Sequence, residues 1–291
     1  MGSSEKKWTS AIEKELSKVY KAEMRLQKAA LKSGALREDS AVRTGVHLPN
    51  SEKRTNAPWR EKIEDKIPKK AREGLEQAFC KGFALMFEKG KIVVEKTFDK
   101  DSLAKDQEIR EFAIRLKGGR RELRSLQKAA GKTNLRNLAM TAVEGAGLGA
   151  LGIGLPDIVV FTGVLLKGIY ETAVQYGVEY ETPGEQWLML KMMEASMAKG
   201  EHWLNLNQEI DQYLSEDISV IPSQEILQEQ IEQTAKAFAM DMLLLKFVQG
   251  IPVAGILGGA GNPYYYRKIL RYVSVKYQKR YLLKLKRMGP K

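Results

Sequence analysis

The sequence predicts an all-α fold, a multi-helix bundle built around two glycine-rich apolar helical hairpins and preceded by an N-terminal amphipathic helix. Apolar residues recur at steps of three and four along most of the 291 residues, which is the spacing of one helix face. Short apolar runs that could form strands have no neighbouring run to pair with. Glycine-rich apolar stretches at residues 138–170 and 250–263 interrupt the helical pattern and predict the two hairpins.

Residues 1–57 are predicted to form an amphipathic helix and a polar linker. The helix runs to about Leu31, and its apolar face carries Trp8, Ile12, Leu16, Val19, Tyr20 and Met24. Residues 33–58 are rich in glycine, serine, asparagine, proline and charged residues, which is typical of a long connection. We therefore predict a boundary near Pro58, followed by a helical domain over residues 58–291.

Helical spacing resumes over residues 71–86, 104–116 and 121–130, and the first hairpin follows. Its turn contains Pro156, which cannot lie inside a continuous helix because proline lacks the backbone N–H and clashes with the preceding turn. We expect Pro156 to lie in the first turn of the hairpin's second helix, with Asp157 near the positive end of that helix.

Both hairpins contain glycines four residues apart, at Gly145 and Gly149 and at Gly255 and Gly259. Such pairs allow helix backbones to approach closely, either in lipid or in the core of a water-soluble protein. Neither stretch reaches about 20 apolar residues without a charge or a proline near its middle, so we do not expect a transmembrane helix.

A capping box marks the start of the next helix. Thr182 is followed by proline at the first helical position and by Glu185 at the third, a combination that caps helix N-termini. Helical spacing then continues over residues 187–197, 203–214 and 224–248 before the second hairpin leads into the last helix.

Positive charge is concentrated in that last helix. The chain has a net charge of +12, and +11 of it lies after Asp241, where no acidic residue occurs. Lysine and arginine occupy most of the helix circumference, and the remaining apolar stripe consists of Tyr266, Leu270, Val273, Tyr277, Tyr281, Leu285 and Met288. This pattern predicts a basic amphipathic helix rich in tyrosine.

Three roles remain open for this helix. Its charges can be solvated while the stripe packs on the core, or they can bind a membrane face, because anionic lipid attracts basic residues and tyrosine favours the headgroup region. The third role is nucleic-acid binding, but no recognised signature accompanies the helix, so we do not expect a nucleic-acid partner. The candidate membrane- or partner-binding residues are Arg267, Lys268, Arg271, Lys276, Lys279, Arg280, Tyr265 and Tyr272.

Cysteine and histidine are too few for several kinds of site. Cys80 is the single cysteine, so no intrachain disulfide can form and a reducing, cytoplasmic compartment is expected. His47 and His202 lie far apart in polar sequence, which provides little for a zinc site or a histidine triad. The N-terminus reads as a charged helix and not as a secretory signal. We therefore expect no metal and no cofactor.

Residues 144–158 resemble the signature of the EcsC protein family, and the likeness continues through Phe161, Ala173 and the Tyr176–Gly177 pair. The later Gly250-Ile251-Pro252 sequence and the basic, tyrosine-rich C-terminus are similar to that family's C-terminal pattern, so the resemblance covers residues 59–288. It implies a mainly bacterial family in which one member is encoded beside an ABC transporter. It supplies no catalytic residue, but it favours a membrane-associated or transporter-linked role.

Two functions from different classes follow. We expect a protein that associates peripherally with the inner face of the cell membrane or with a membrane-protein partner, without enzymatic activity. The alternative is a hydrolase-like enzyme that acts on a lipid or lipopeptide in an apolar groove between the hairpins. Glu144 and Asp157 would then be its acid and base, because an apolar environment raises carboxyl pKa values toward those that proton transfer requires.

Overall fold

The computed structural model describes residues 3–32, 66–87, 98–117, 119–129, 155–216, 222–249 and 261–289. Within these ranges the chain forms nine helices and no strand, which confirms the predicted all-α class. In chain order they are α1 (Ser3–Lys32), α2 (Lys69–Leu85), α3 (Lys100–Lys117), α4 (120–129), α5 (Leu155–Gln175), α6 (Pro183–Met197), α7 (Gly200–Glu216), α8 (Gln224–Gln249) and α9 (Gly261–Met288).

α6 is the central helix of the bundle. Residues 188–197 are all buried, and this continuous burial is expected of a helix surrounded by other helices. α8 and α9 both pack on α6, α2 packs on α8, and α5 contacts α2, α3 and α9. The basic C-terminal helix is therefore a core element of the bundle and not an appendage to it.

An aromatic cluster fixes the packing of α2, α5 and α8. Phe238 of α8 lies between Phe79 and Phe83 of α2, with ring centroids 5.3 and 5.4 Å apart, and Phe161 of α5 meets the same group. Tilted and edge-to-face pairs of this kind add about 0.5–1.5 kcal/mol each to the free energy gained from burial alone. These rings orient α5, the second helix of the first predicted hairpin.

α5 and α9 run parallel. Gly168 lies against Tyr266 near the start of α9, whereas Tyr176 at the end of α5 lies 6.0 Å from Tyr281, measured between ring centroids. A Cβ atom at position 168 would lie 2.9 Å from Cζ of Tyr266 and closer still to its hydroxyl oxygen, so only glycine fits there. The parallel arrangement brings the C-terminal ends of α5 and α9 together.

The predicted cap of α6 is present in part. The Thr182 hydroxyl accepts a hydrogen bond from the backbone N–H of Glu185 at 3.3 Å, and Pro183 occupies the first helical position. The Glu185 side chain does not complete the reciprocal capping bond, because it bonds to two side chains of α9. The motif therefore sets the start of α6 and also supplies a buried carboxylate to the interface with α9.

α1 packs against α9 and α7. Trp8, Ile12, Leu16 and Val19 are buried as the apolar stripe predicts. The prediction is wrong for Tyr20 and Met24, which are exposed. The reason is that Glu23 occupies the contact with α9, where two lysines neutralise it.

Several sequence predictions lie outside the described residues. They are the boundary near Pro58 and the glycine pairs at residues 145–149 and 255–259. α5 begins at Leu155, so Pro156 does lie in the first turn of a helix. α9 begins at Gly261, so the last residues of the second glycine-rich stretch are helical.

Candidate functional site

Lys276 and Lys279 of α9, two of the predicted surface residues, lie inside the protein. Lys276 is fully buried, and its Nζ lies 2.7 Å from Oε1 of Glu23 on α1 and 2.6 Å from Oδ1 of Asp211 on α7. Lys279 contacts the same carboxylates at 2.9 and 3.0 Å. Although burial alone would lower it, Asp211 and Glu23 raise the pKa of Lys279. The four side chains form an ion cluster that joins three helices.

Arg280 and Lys268 are also paired within the bundle. Arg280 Nη1 donates to Oε2 of Glu185 at 2.6 Å, while the Tyr277 hydroxyl donates to Oε1 at 2.7 Å. Burial, together with the adjacent Glu185 carboxylate, raises the pKa of Tyr277 well above its usual range, so the phenol remains a hydrogen-bond donor. Lys268 Nζ lies 2.9 Å from Oδ2 of Asp241 on α8.

The two candidate tyrosines are buried as well. Tyr265 lies in the core, and the Tyr272 hydroxyl donates to Oδ1 of Asn207 on α7 at 2.9 Å. Burial raises the pKa of Tyr272, with nearby Asp211 and Glu23 adding to the effect. These residues, like the paired cations, are held by internal partners and do not form the predicted outer contact surface.

Arg267 and Arg271 differ from the other candidates because both are exposed. They lie one helical turn apart near the N-terminal end of α9, next to exposed Tyr264. Of the six basic residues predicted to contact a membrane or partner, these two alone are exposed in the described part of the chain.

The proposed acid–base pair cannot be placed. Glu144 lies outside the described residues, and Asp157 lies in the first turn of α5 without a described side chain. Among the residues that are described, no three histidine, cysteine, aspartate or glutamate side chains are grouped to hold a metal ion. Cys80 is partly buried, and burial, followed by the charges of Glu232 and Glu76, raises its pKa.

One described segment, Ile158–Gln175 of α5, is long and apolar enough to cross a membrane. Of its residues, 72% are buried within the bundle, which is also the environment of a core helix in a protein that does not span a membrane. Length and composition are therefore weak evidence for a span here.

Among the described residues, the large apolar side chains with the highest exposure lie on α3. Ile109, Phe112 and Leu116 are 67, 68 and 71% exposed and occupy successive turns of one face. Arg115, beside this face, reaches Met288 at the end of α9, with Nη2 and Sδ 3.8 Å apart, so the C-terminal ends of α3 and α9 are adjacent. We name the face and this end of α9 the α3–α9 surface, and its members are Ile109, Phe112, Leu116, Lys284, Lys286, Arg287 and Met288.

The basic residues of the α3–α9 surface are exposed on the last two turns of α9. Arg287 donates to the backbone carbonyl of Ser215 at 3.3 Å. In the described ranges Lys284 and Lys286 have no ion-pair partner within 4 Å. Apolar side chains and exposed positive charge are therefore adjacent at this end of the bundle.

A pocket of about 260 Å³ lies beside this surface, between α9 and the loop that joins α5 to α6. Loop residues 176–179 and Thr182 form one wall, and Arg280, Tyr281 and Lys284 form the other. The loop begins with a Schellman motif in which Gly177 N–H donates to Val174 O and Val178 N–H donates to Ala173 O, both at 2.9 Å. Gly177 has φ +67°, and a Cβ there would lie 2.8 Å from Nε2 of Gln107.

The α3–α9 surface and the pocket were both missed by sequence reasoning. For α3 a signal was present, because apolar residues occupy two faces of the helix: Ile114 is buried, whereas Ile109, Phe112 and Leu116 lie opposite it. One buried apolar stripe is enough to hold a helix on the bundle, so a second apolar stripe indicates a further contact. The pocket had no comparable signal, since its walls come from segments about 100 residues apart.

Comparison with known proteins identifies the family. The model of the EcsC protein family matches residues 40–282, which is most of the chain. No curated protein and no solved structure gives a significant match. The family match begins after α1 and includes the loop wall of the pocket and α9 as far as residue 282. The resemblance predicted from residues 144–158 and from the C-terminal pattern is confirmed, and the chain belongs to the EcsC protein family.

Proposed function

We propose that this protein associates peripherally with the anionic cytoplasmic face of a membrane, and that the α3–α9 surface is its contact. The observation that carries the proposal is the row of Ile109, Phe112 and Leu116, each about two-thirds exposed, next to the basic end of α9. An exposed apolar helix face bordered by lysine and arginine is typical of helices that lie in the membrane interface.

The energetics favour such a contact. Inserting a large apolar side chain into the acyl boundary contributes about 1.5–3 kcal/mol, and each basic residue near an anionic surface contributes about 1 kcal/mol. The exposed apolar row and the three cations of α9 together give enough for reversible binding. The internally paired Lys276 and Lys279 contribute little, because their charges are already neutralised by Glu23 and Asp211.

The test is sedimentation of the full chain with neutral phosphatidylcholine vesicles and with vesicles that also contain phosphatidylglycerol, over a salt series. We expect binding to the anionic vesicles that weakens with salt. Phe112→Ser should lower the partition coefficient about tenfold, because it removes one inserted ring. Ile226→Ser, at an exposed apolar position of α8, is the matched control and should bind like the original chain.

A pair of charge variants locates the contact. Replacing Lys286 and Arg287 with glutamine should weaken binding to anionic vesicles, whereas replacing Arg267 and Arg271 removes the same charge at the other end of α9. The two pairs lie roughly 20 Å or more apart along the helix. The proposal is wrong if the Phe112→Ser variant binds normally, or if only the Arg267 and Arg271 pair weakens binding.

A further inference from the structure

The pocket between α9 and the α5–α6 loop carries charges of both signs. Arg280 and Lys284 lie one turn apart on the α9 wall, and Glu179 lies on the loop wall. Glu185, which also lines the pocket, is only 4% exposed and already accepts hydrogen bonds from Arg280 and Tyr277. Its charge is therefore balanced within the protein.

Two charged groups of the pocket have no close ion pair. In the part of the chain that the structure describes, neither Lys284 nor Glu179 has an ion-pair partner within 4 Å. Although burial alone would raise it, hydrogen bonds from Arg115 and Gln107 lower the pKa of Glu111, and the more distant charge of Lys284 adds to this effect. Arg280 uses one of its five N–H groups on Glu185, and this bond holds the guanidinium in place at the wall. The α9 wall thus offers donors to an oxyanion, while the loop wall offers a carboxylate to a cation.

We infer that this pocket binds a small zwitterion, a molecule that carries an oxyanion and an ammonium group a few bonds apart. The oxyanion lies against Lys284 and Arg280, and the ammonium group lies against Glu179. An anion without a cationic group would be repelled by the carboxylate of Glu179, and a simple cation would be repelled by the ammonium group of Lys284. A zwitterion is the class of ligand that neutralises both.

The size and shape of the pocket support a ligand of this class. A volume of about 260 Å³ lies below the 300–1,000 Å³ that drug-sized molecules usually occupy. Tyr176 and Tyr281 add apolar ring surface, and burial raises the pKa of both phenols, which therefore stay neutral. Two sources share the required chemistry, a free amino acid and the headgroup of phosphatidylethanolamine. The second source rests on the proposed membrane association because Lys284 belongs to both sites, whereas the first source does not.

The test uses the full chain and calorimetric titration with glycine and with O-phosphoethanolamine, beside acetate and ethylamine as ligands of one charge. We expect saturable binding of a zwitterion and none of the single-charge ligands. Lys284→Gln and Glu179→Gln should each weaken that binding at least about tenfold, because each removes one charged hydrogen bond. Lys105→Gln and Glu108→Gln remove the same charges from exposed positions outside the pocket and should leave the affinity unchanged.

A second arm distinguishes the two sources. Anionic vesicles with and without phosphatidylethanolamine are compared; stronger binding that depends on both Lys284 and Glu179 identifies the lipid headgroup. Zwitterion binding in solution that depends on the two residues identifies a free ligand. If neither arm depends on them, the inference is wrong. Phe112→Ser should leave the solution titration unchanged, so a failure of membrane association and a failure of the pocket give different results.

Discussion

Lys276 shows how a charged side chain is accommodated in the core of this protein. Its ammonium group lies between the carboxylates of Glu23 and Asp211, and its aliphatic stem is fully buried. Removing one member of a buried, hydrogen-bonded ion group commonly costs about 3–5 kcal/mol, because the remaining charges are left without compensation. The cluster therefore contributes to the free energy of unfolding, and its lysines are not available to an external anion.

Glu15 gives a prediction for the pH dependence of stability. Its buried carboxylate joins α1 to α4: Lys18 Nζ lies 2.6 Å from Oε1, and Gln127 Nε2 donates to Oε2 at 3.2 Å. Although burial alone would raise it, these hydrogen bonds and the charge of Lys18 lower the pKa of Glu15. A carboxyl group with a lowered pKa in the folded state stabilises that state above its unfolded pKa, and this stabilisation is lost as the pH falls.

We therefore expect Glu15→Gln to lower the free energy of unfolding at pH 7 by about 1–3 kcal/mol, as for the loss of charged hydrogen bonds. The difference from the original chain should shrink below about pH 4, where the carboxyl group becomes protonated in the unfolded state and then in the folded state. Urea denaturation at several pH values measures this difference in the free energy of unfolding. Glu13→Gln, on the exposed face of the same helix, is the control, and a pH-independent difference would contradict this account.

Single residues also show what sequence reasoning could and could not predict. Trp8 and Ile12 are buried as their spacing indicated, because burial of an apolar stripe depends only on one helix. The sequence predicts Lys276 at the surface because its partners belong to other helices, and Glu23 is 253 positions away in the sequence. The face of a helix can be predicted locally, but which helix covers that face cannot.

At the scale of the element, the contact between α5 and α9 depends on Gly168. Gly168→Ala should destabilise the protein by about 1–3 kcal/mol, because the new methyl group overlaps the Tyr266 ring and forces the helices apart. Gly74→Ala on α2 is the matched control: no atom lies within 4 Å of the added Cβ, so better helix propensity should stabilise by up to about 1 kcal/mol. Thermal and urea unfolding compare the two.

The double variant Gly168→Ala with Tyr266→Phe sharpens this test. Removing the hydroxyl oxygen takes away the atom nearest to the new methyl group, so part of the lost stability should return. No recovery, together with equal effects of the two alanine substitutions, would show that the close approach of α5 and α9 does not determine stability.

The helix boundaries followed from local chemistry, as the α6 start at Pro183 after Thr182 shows. The exposed apolar face of α3 could not be predicted in this way. Its spacing predicts a helix over residues 104–116 but does not indicate that one apolar face is left exposed. Exposure depends on how many neighbours surround an element. α3 has α5 as its principal contact, and the opposite face therefore remains open.

At the scale of the whole molecule, the packing of α1 makes a prediction about cooperativity. Ile12 is buried among residues of the common core. Ile12→Ala should therefore lower the midpoint of a single unfolding transition, at a cost of about 2–5 kcal/mol, when circular dichroism and tryptophan fluorescence are followed together.

The milder change Ile12→Val should shift the same transition by about 0.5–1.5 kcal/mol. A separate early transition that appears only in the alanine variant would show that residues 1–57 unfold as an independent unit, as the predicted boundary near Pro58 implies. A common shift of the circular dichroism and fluorescence signals would show that α1 unfolds together with the remainder of the bundle.

The contact between α1 and α9 joins two helices that lie far apart in the sequence: Glu23 and Lys276 are separated by 253 positions. During synthesis α1 leaves the ribosome well before α9, so its partner surface is absent until α9 has been made. Until then no lysine of α9 neutralises Glu23, and α9 does not cover the apolar stripe of α1. Native contacts of such long sequence separation slow folding, so docking of α1 against α9 is expected to be a late, rate-limiting event.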